Sequence, residues 1–353
     1  MPVFFVRTPA REYPCVVERG AIASLPRYIP SNAGKLFAVT TEDVWRLHGQ
    51  ALAGVGAHAL FFPGGEERKR MAQVETLAEQ MVAQGADRTS VVIALGGGIA
   101  GDLGGFLAAI FMRGVPVIQI PTTLLAQVDA AIGGKTGANL VSGKNLIGAF
   151  HQPLAVLIDP AVLSTLPARE YRAGLYEAVK YGIISSPRLF DRMLNESAKV
   201  LALDPEIVDD LVAESVRIKA RVVSKDERES GLRRILNYGH TIGHALEAET
   251  AYSRLLHGEA VAFGMRAAIH LARLAGVCAA AECDRMLQCI DAYGALPPLD
   301  GIQPDNLIGR LASDKKTIQG KVHFVLAEAV GRTRITTGMD AVLIRQAIEM
   351  SLA

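Results

Sequence analysis

The chain has 353 residues, half of them hydrophobic, with 37 Lys and Arg against 36 Asp and Glu. That length supports a large buried core and favours two domains over one, while the near-even charge excludes the clustered positive surplus of a nucleic-acid footprint. Four cysteines with no CxxC pair exclude a disulfide scaffold and point to buried, reduced thiols; with neither a signal peptide nor the ~20 apolar residues of a membrane helix, a soluble cytoplasmic protein is expected, with no membrane or nucleic-acid partner.

Leu36–Thr40 reads as a buried strand, Met71 to Gly85 as an amphipathic helix stopped by glycine, and Val91–Leu95 and Val117–Ile120 as two further buried strands. Strands alternating with helices predict a parallel sheet covered by helices. Past Pro167 helical patterns dominate: Arg169 to Ile184, Pro205 to Asp226, His240 to Thr250 and Glu259 to Leu274, with one late strand from Val322 to Leu326. This predicts an α/β N-terminal domain over residues 1–168 and a mainly helical C-terminal domain over 169–353. The charge run Asp226 to Gly231 reads as a solvated turn.

The glycine-rich run from Leu95 to Gly105 follows a strand and opens a helix. Glycines there let the backbone approach a phosphate, and the helix N-terminus offers N–H groups and a positive dipole. Gly96 to Gly101 fits the dinucleotide fingerprint only loosely, and a tight strand-to-helix turn is the alternative, but the position after a buried strand favours phosphate binding. Pro63 to Lys69 presents an acid and a base on a turn, suited to a ribose hydroxyl and a phosphate; a solvated turn has the same composition. Thr122 and Thr123 follow a strand, at the end where open α/β sheets bind ligands, or serve as an ordinary helix cap.

Lys135 and Lys144 sit beside glycines in a segment otherwise poor in charge. Lysines on glycine-rich loops are point charges for phosphate, and with Asn145 they suggest an anion pocket. His240 and His244 stand at i, i+4 and share one helix face. His257 opens the next predicted helix, and Glu177 and Lys180 pair at i, i+3. One carboxylate and two imidazoles suit Zn²⁺ with an open position; spacing alone does not decide which two histidines take part. Lys219, Arg233 and the downstream run Asp314-Lys315-Lys316 are surface charge by default and line an anionic cleft if they converge.

Taken together, these motifs resemble the 3-dehydroquinate synthase family of sugar-phosphate cyclases in order and spacing across nearly the whole chain. The resemblance implies that the α/β N-terminal domain, with its parallel sheet, is a dinucleotide-binding domain and the mainly helical C-terminal domain a metal-binding domain. The resemblance implies that Glu177, His240 and His257 bind the metal, usually Zn²⁺ with Co²⁺ as an alternative, and that His244 faces the substrate phosphate. It implies that Gly64, Gly65, Glu66, Lys69, Gly98, Ile99, Ala100, Gly101, Asp102, Thr122, Thr123, Lys135 and Lys144 serve NAD, with Glu66 on a ribose. Lys135, Asn145, Asn237, His244 and a lysine of the downstream run, taken as Lys316, would hold phosphate; Lys219 and Arg233 would hold a carboxylate. Asp129 would lie near the nicotinamide and metal, and Lys180 beside Glu177. A homodimer is implied, in which Arg113 reaches the neighbouring site. The implied activity converts 3-deoxy-D-arabino-heptulosonate 7-phosphate to 3-dehydroquinate and phosphate, with a hydride lent to NAD and returned. Two other readings use many of the same residues: a sibling cyclase, against which Lys219 and Arg233 speak, and a metal-dependent polyol dehydrogenase, which would not need so many anion-binding groups.

Overall fold

The computed structural model describes residues 2–313 and 322–353. Its contacts divide the chain into two units, Met1–Tyr171 with Val208–Glu227, and Arg172–Ile207 with Arg228–Ala353.

Among the described residues the first unit is built on a seven-stranded sheet. Its strands are β1 (Val3–Arg7), β2 (Glu12–Val17), β3 (Leu36–Thr40), β4 (His58–Phe61), β5 (Val91–Gly96), β6 (Val117–Pro121) and β9 (Val156–Ile158), ordered β1-β2-β9-β6-β5-β3-β4. All pairings are parallel except β1 with β2 at the edge. The apolar runs of β3 and β5 alternate between two cores. Phe37, Val39, Val92 and Ala94 enter one, and Leu36, Ala38, Val91, Ile93 and Leu95 the other. A strand buried on both faces has no polar positions, which is why these runs read as continuously hydrophobic. Helices α1 (Glu42–His48), α2 (Met71–Ala83) and α3 (Gly98–Ile110) belong to this unit, as does the antiparallel hairpin of β7 (Lys135–Leu140) and β8 (Gly143–Phe150).

The expected boundary at residue 168 falls inside helix α4 (Ala168–Ser185), whose first residues go with the first unit. The segment 208–227, expected in the second domain, also packs with the first unit. Arg19 pairs with Asp209, Arg7 N–H donates to Ser224 Oγ, and Gln152 Nε2 donates to Glu227 Oε1 at 2.7 Å. These bonds account for the difference, and the last shows that Glu227, in the run read as a solvated turn, is a bonding partner.

The second unit is mainly helical. It takes most of α4, then α5 (Pro187–Asn195), α6 (Ser197–Leu201), the start of α7 (Pro205–Lys225), α8 (His240–Glu249), α9 (His257–Leu274), α10 (Ala280–Asp291), α11 (Pro304–Ser313) and α12 (Ala341–Leu352), with the hairpin β10 (His323–Ala329) and β11 (Arg332–Thr337). Helix α9 is its centre, buried over most of its length. Two glycines set how near it comes to its neighbours: a Cβ on Gly258 would lie 1.8 Å from the Ala173 carbonyl oxygen, and one on Gly264 1.8 Å from that of Gly239. All four cysteines are buried and free. Among the described residues no helix is long and apolar enough to cross a membrane.

Candidate active site

In the first unit, β4 lies on one side of β3 and β5 on the other. The strand order reverses there, and open α/β sheets bind ligands at the carboxyl ends of strands around such a point. Of the residues expected to serve NAD, Gly64 to Lys69, Gly98 to Asp102, and Thr122 with Thr123 follow the carboxyl ends of β4, β5 and β6. Gly96 closes β5 with φ 150°, and a Cβ there would stand 2.7 Å from that of Ala100. Glycine therefore permits the sharp turn into α3, where Gly98, Ile99, Ala100, Gly101 and Asp102 form the first turn. The N–H groups of Gly98, Ile99 and Ala100 are among those a helix leaves without internal partners, whereas Gly101 N–H donates to the Gly97 carbonyl at 3.1 Å. Thr122 N–H donates to the Gly96 carbonyl at 2.9 Å and ties β6 to β5. Thr123 Oγ1 accepts from Ala126 N–H at 3.2 Å, so it also fills the cap role.

Gly64 and Gly65 both take positive φ and deliver Glu66 to a short turn after β4. Lys69, 3 % exposed, contacts Asp102 through Nζ and donates to Asn145 Oδ1 at 2.6 Å. Burial pushes the Asp102 carboxyl above its ordinary range, and the Lys69 ammonium opposes that shift. Asn145 itself has φ 52° in the β7–β8 hairpin. Lys135 and Lys144, read as loop lysines, stand on that hairpin's strands; Lys135 pairs in register with Phe150. The segment was not recognisable as a hairpin because its strands are rich in Gly, Lys and Asn rather than β-branched residues.

Asp129 lies in a π-helical turn, Ala126–Ala130, a distortion that recurs at functional sites. Lys219 Nζ donates to the Asp129 carbonyl at 2.6 Å and to Oδ1 at 2.5 Å. Lys219 is thus joined to Asp129 rather than spread over the surface. Arg113 is exposed, and it and Met112 both adopt left-handed backbone, φ 72° and 47°, a conformation that costs non-glycine residues energy.

In the second unit, α4, α8 and the start of α9 bring Glu177, His240, His244 and His257 together. The ligand atoms of the three histidines lie within 4.8 Å of one another. The buried Glu177 carboxylate contacts Lys180 Nζ, as the i, i+3 pairing implies. Its Oε1 also lies 3.5 Å from His240 Nε2 and 3.6 Å from His257 Nε2. Apart from that ion pair, neither Glu177 oxygen has a well-formed hydrogen bond among the described residues. The Lys180 ammonium offsets the buried charge on the Oε2 side, while Oε1 faces the two imidazole nitrogens, an arrangement that a bound cation would satisfy. Ligands about 2.0–2.1 Å from a tetrahedral metal are separated by about 3.4 Å, close to both distances from Glu177 Oε1.

The opposite ring nitrogens support the same assignment. His240 Nδ1 lies 3.0 Å from the Tyr238 carbonyl oxygen, and His257 Nδ1 lies 3.4 Å from Glu247 Oε1. A proton held at each Nδ1 leaves Nε2 as the lone-pair donor, turned to Glu177, and ligating histidines usually have such a partner behind them. Glu247, 3 % exposed, has no role in the sequence reading, although it stands three residues after His244. His244 Nε2 lies 4.0 Å from Glu247 Oε2.

Arg233 is 2 % exposed in the short turn Leu232–Asn237. Asn237 Nδ2 contacts the Glu229 carboxylate, and Glu229 has φ 62°. Glu229 therefore also departs from the solvated-turn reading. Lys315 and Lys316 lie outside the described residues.

The family model described as 3-dehydroquinate synthase N-terminal matches residues 59–173, and that described as 3-dehydroquinate synthase C-terminal matches 174–317. A 3-dehydroquinate synthase of Solibacter usitatus (strain Ellin6076) is 60% identical, with 100% of each chain covered. Among solved structures, 2-deoxy-scyllo-inosose synthase complexed with carbaglucose-6-phosphate, NAD⁺ and Co²⁺ superposes with TM-score 0.89 at 26% identity over 99% of each chain. ValA, the 2-epi-5-epi-valiolone synthase of Streptomyces hygroscopicus subsp. jinggangensis 5008 with NAD⁺ and Zn²⁺ bound, does so with TM-score 0.88 at 30% identity over 96% of each. This chain belongs to the 3-dehydroquinate synthase family.

Proposed function

We propose that this chain converts 3-deoxy-D-arabino-heptulosonate 7-phosphate to 3-dehydroquinate and phosphate, a step of the shikimate route to aromatic amino acids. The observation that carries the proposal is the 60% identity, over the full length of both chains, to a 3-dehydroquinate synthase. The Glu177, His240 and His257 cluster and the glycine turn into α3 support it chemically. Bound NAD⁺ would accept and return a hydride, and a bound divalent metal, Zn²⁺ or Co²⁺, would polarise the oxygen at the reacting carbon.

The chain's own groups bind and orient. The N–H groups of Gly98, Ile99 and Ala100 suit the cofactor's pyrophosphate, Lys69 and Lys144 add positive charge, and Glu66 accepts from a ribose hydroxyl. Glu177, His240 and His257 hold the metal, with Lys180 balancing the charge of Glu177. Arg233, with its forked donors, and Lys219 take the substrate carboxylate. Lys135, Asn145, Asn237, His244 and Lys316 take the phosphate. With Oδ1 of Asn145 engaged by Lys69, the amide end offered to an anion is Nδ2. Asp129 accepts from Lys219 and so presents it in one orientation. The substrate leaves with its oxidation level unchanged overall, having lost phosphate and closed a ring.

We further propose a homodimer in which Arg113 serves the neighbouring site, and a cytoplasmic location, for which four buried free thiols are fitting.

The test is phosphate release by the purified chain with this substrate, NAD⁺ and Zn²⁺, with NADH followed simultaneously. Phosphate release without accumulating NADH, abolished by a chelator, is expected. NADH accumulation with polyols and no phosphate release would replace the proposal with a dehydrogenase.

A further inference from the structure

We propose that Asn139 is a positioning residue that sets the ribose end of the nucleotide site, an inference that rests on the reading of Glu66 as the ribose ligand. Asn139 lies on β7, is 5 % exposed, and carries no role in the assignments above. Its backbone N–H donates to the Lys69 carbonyl at 2.7 Å. Its Nδ2 donates to both the Glu66 carbonyl and Glu66 Oε1, at 3.0 and 2.7 Å. Its Oδ1 accepts from Asn145 N–H at 2.8 Å.

An amide offers two donor hydrogens and one acceptor oxygen, and all three are used here. Rotating the amide would set its oxygen against the Glu66 carboxylate and its NH₂ against the Asn145 N–H, so only one orientation satisfies the neighbours. A single buried side chain thus joins the Glu66–Lys69 turn to the β7–β8 hairpin. Glu66 sits in a turn of three residues, with no longer element to orient it. The bond to Oε1 supplies that orientation and leaves Oε2 as the atom for a ribose hydroxyl. Aspartate at this position would keep the acceptor for Asn145 but place a carboxylate against Glu66, and so would drive the Glu66 side chain away.

The experiment is calorimetric titration of the full chain with NAD⁺ and with an NAD⁺ analogue whose adenosine ribose lacks both hydroxyls. Asn139→Asp, Asn139→Ala and Glu66→Ala are compared with the parent, with melting of each protein followed without nucleotide. The parent should prefer NAD⁺ by about tenfold or more, the worth of a hydrogen bond to a charged group. Asn139→Asp should bind NAD⁺ about tenfold more weakly and bind the two nucleotides nearly equally. A merely structural role would weaken both nucleotides alike and leave the preference intact. The aspartate variant preserves volume and one bond, so it carries the test if the alanine variant does not fold. Loss of preference in Glu66→Ala with its retention in both Asn139 variants would overturn the inference. Retention in Glu66→Ala would overturn the ribose reading itself, and the inference with it.

Discussion

At the scale of single residues, the metal cluster separates histidines that sequence spacing treats alike. His240 and His244 share a helix face, yet His240 and His257 are the ones with Nε2 about equally far from Glu177 Oε1, at 3.5 and 3.6 Å. Each also has an oxygen at its other nitrogen. We therefore predict that His240→Ala and His257→Ala lose stoichiometric Zn²⁺ on dialysis, measured by elemental analysis. His244→Ala should keep the metal and lose turnover. Metal loss from His244→Ala with retention in His257→Ala would reverse the two assignments. Lys69 makes a second residue-level case. Its removal leaves the Asp102 carboxyl, already raised by burial, without its ammonium. Lys69→Met should cost about 1–3 kcal/mol of NAD⁺ binding, read as a smaller rise in melting temperature on adding NAD⁺.

At the scale of elements, close backbone approach decides where side chains meet. Helix α9 carries His257 at its first position and lies near α4, which carries Glu177. The Gly258 position would put a Cβ 1.8 Å from the Ala173 oxygen, and backbone on both sides cannot yield as a flexible side chain could. Gly258→Ala should destabilise the fold by about 3 kcal/mol or more and weaken metal binding as His257 moves away from Glu177. Gly264→Ala meets the Gly239 oxygen in the same way and should have a similar effect on melting. A variant with unchanged melting temperature and metal content would show that α9 is not seated by these contacts. The β7–β8 hairpin belongs to the same scale. Its strands have weak intrinsic preference for the extended state, so pairing and the Asn139 bonds set their form.

At the scale of the whole molecule, buried histidines set an acid limit on stability. His270, on α9, is 7 % exposed, and its Nδ1 has no hydrogen-bond partner among the described residues. Burial, with Arg266 and Arg273 nearby, holds its pKa below 6.5; burial does the same for His48 and His151. The unfolded chain therefore takes up protons as pH falls through about 6.5, while the folded chain resists. Stability from these groups is complete above that value and is lost below it. Melting temperature should drop between about pH 7.5 and about pH 5.5, and His270→Gln should flatten the drop. A His270→Gln profile parallel to that of the parent would remove His270 from this account.

What the sequence determined by itself was the identity and order of the elements that stand on strong local signals. β3, β5 and β6 are doubly buried strands, apolar or small but for Thr40 and Gln119, and the glycines after β5 read as a turn into a helix that suits a phosphate. The Glu177, His240 and His257 set was legible as a candidate, with the choice among histidines resting on family resemblance. Only the tertiary structure brought Glu247 behind His257, Asn139 between Glu66 and Asn145, and residues 208–227 onto the first unit. Those outcomes depend on hydrogen bonds between residues 10, 73 and 6 positions apart and on helix packing. Local propensity carries no information about which distant group will satisfy a buried donor or acceptor. That is decided when the chain has folded and water has been excluded.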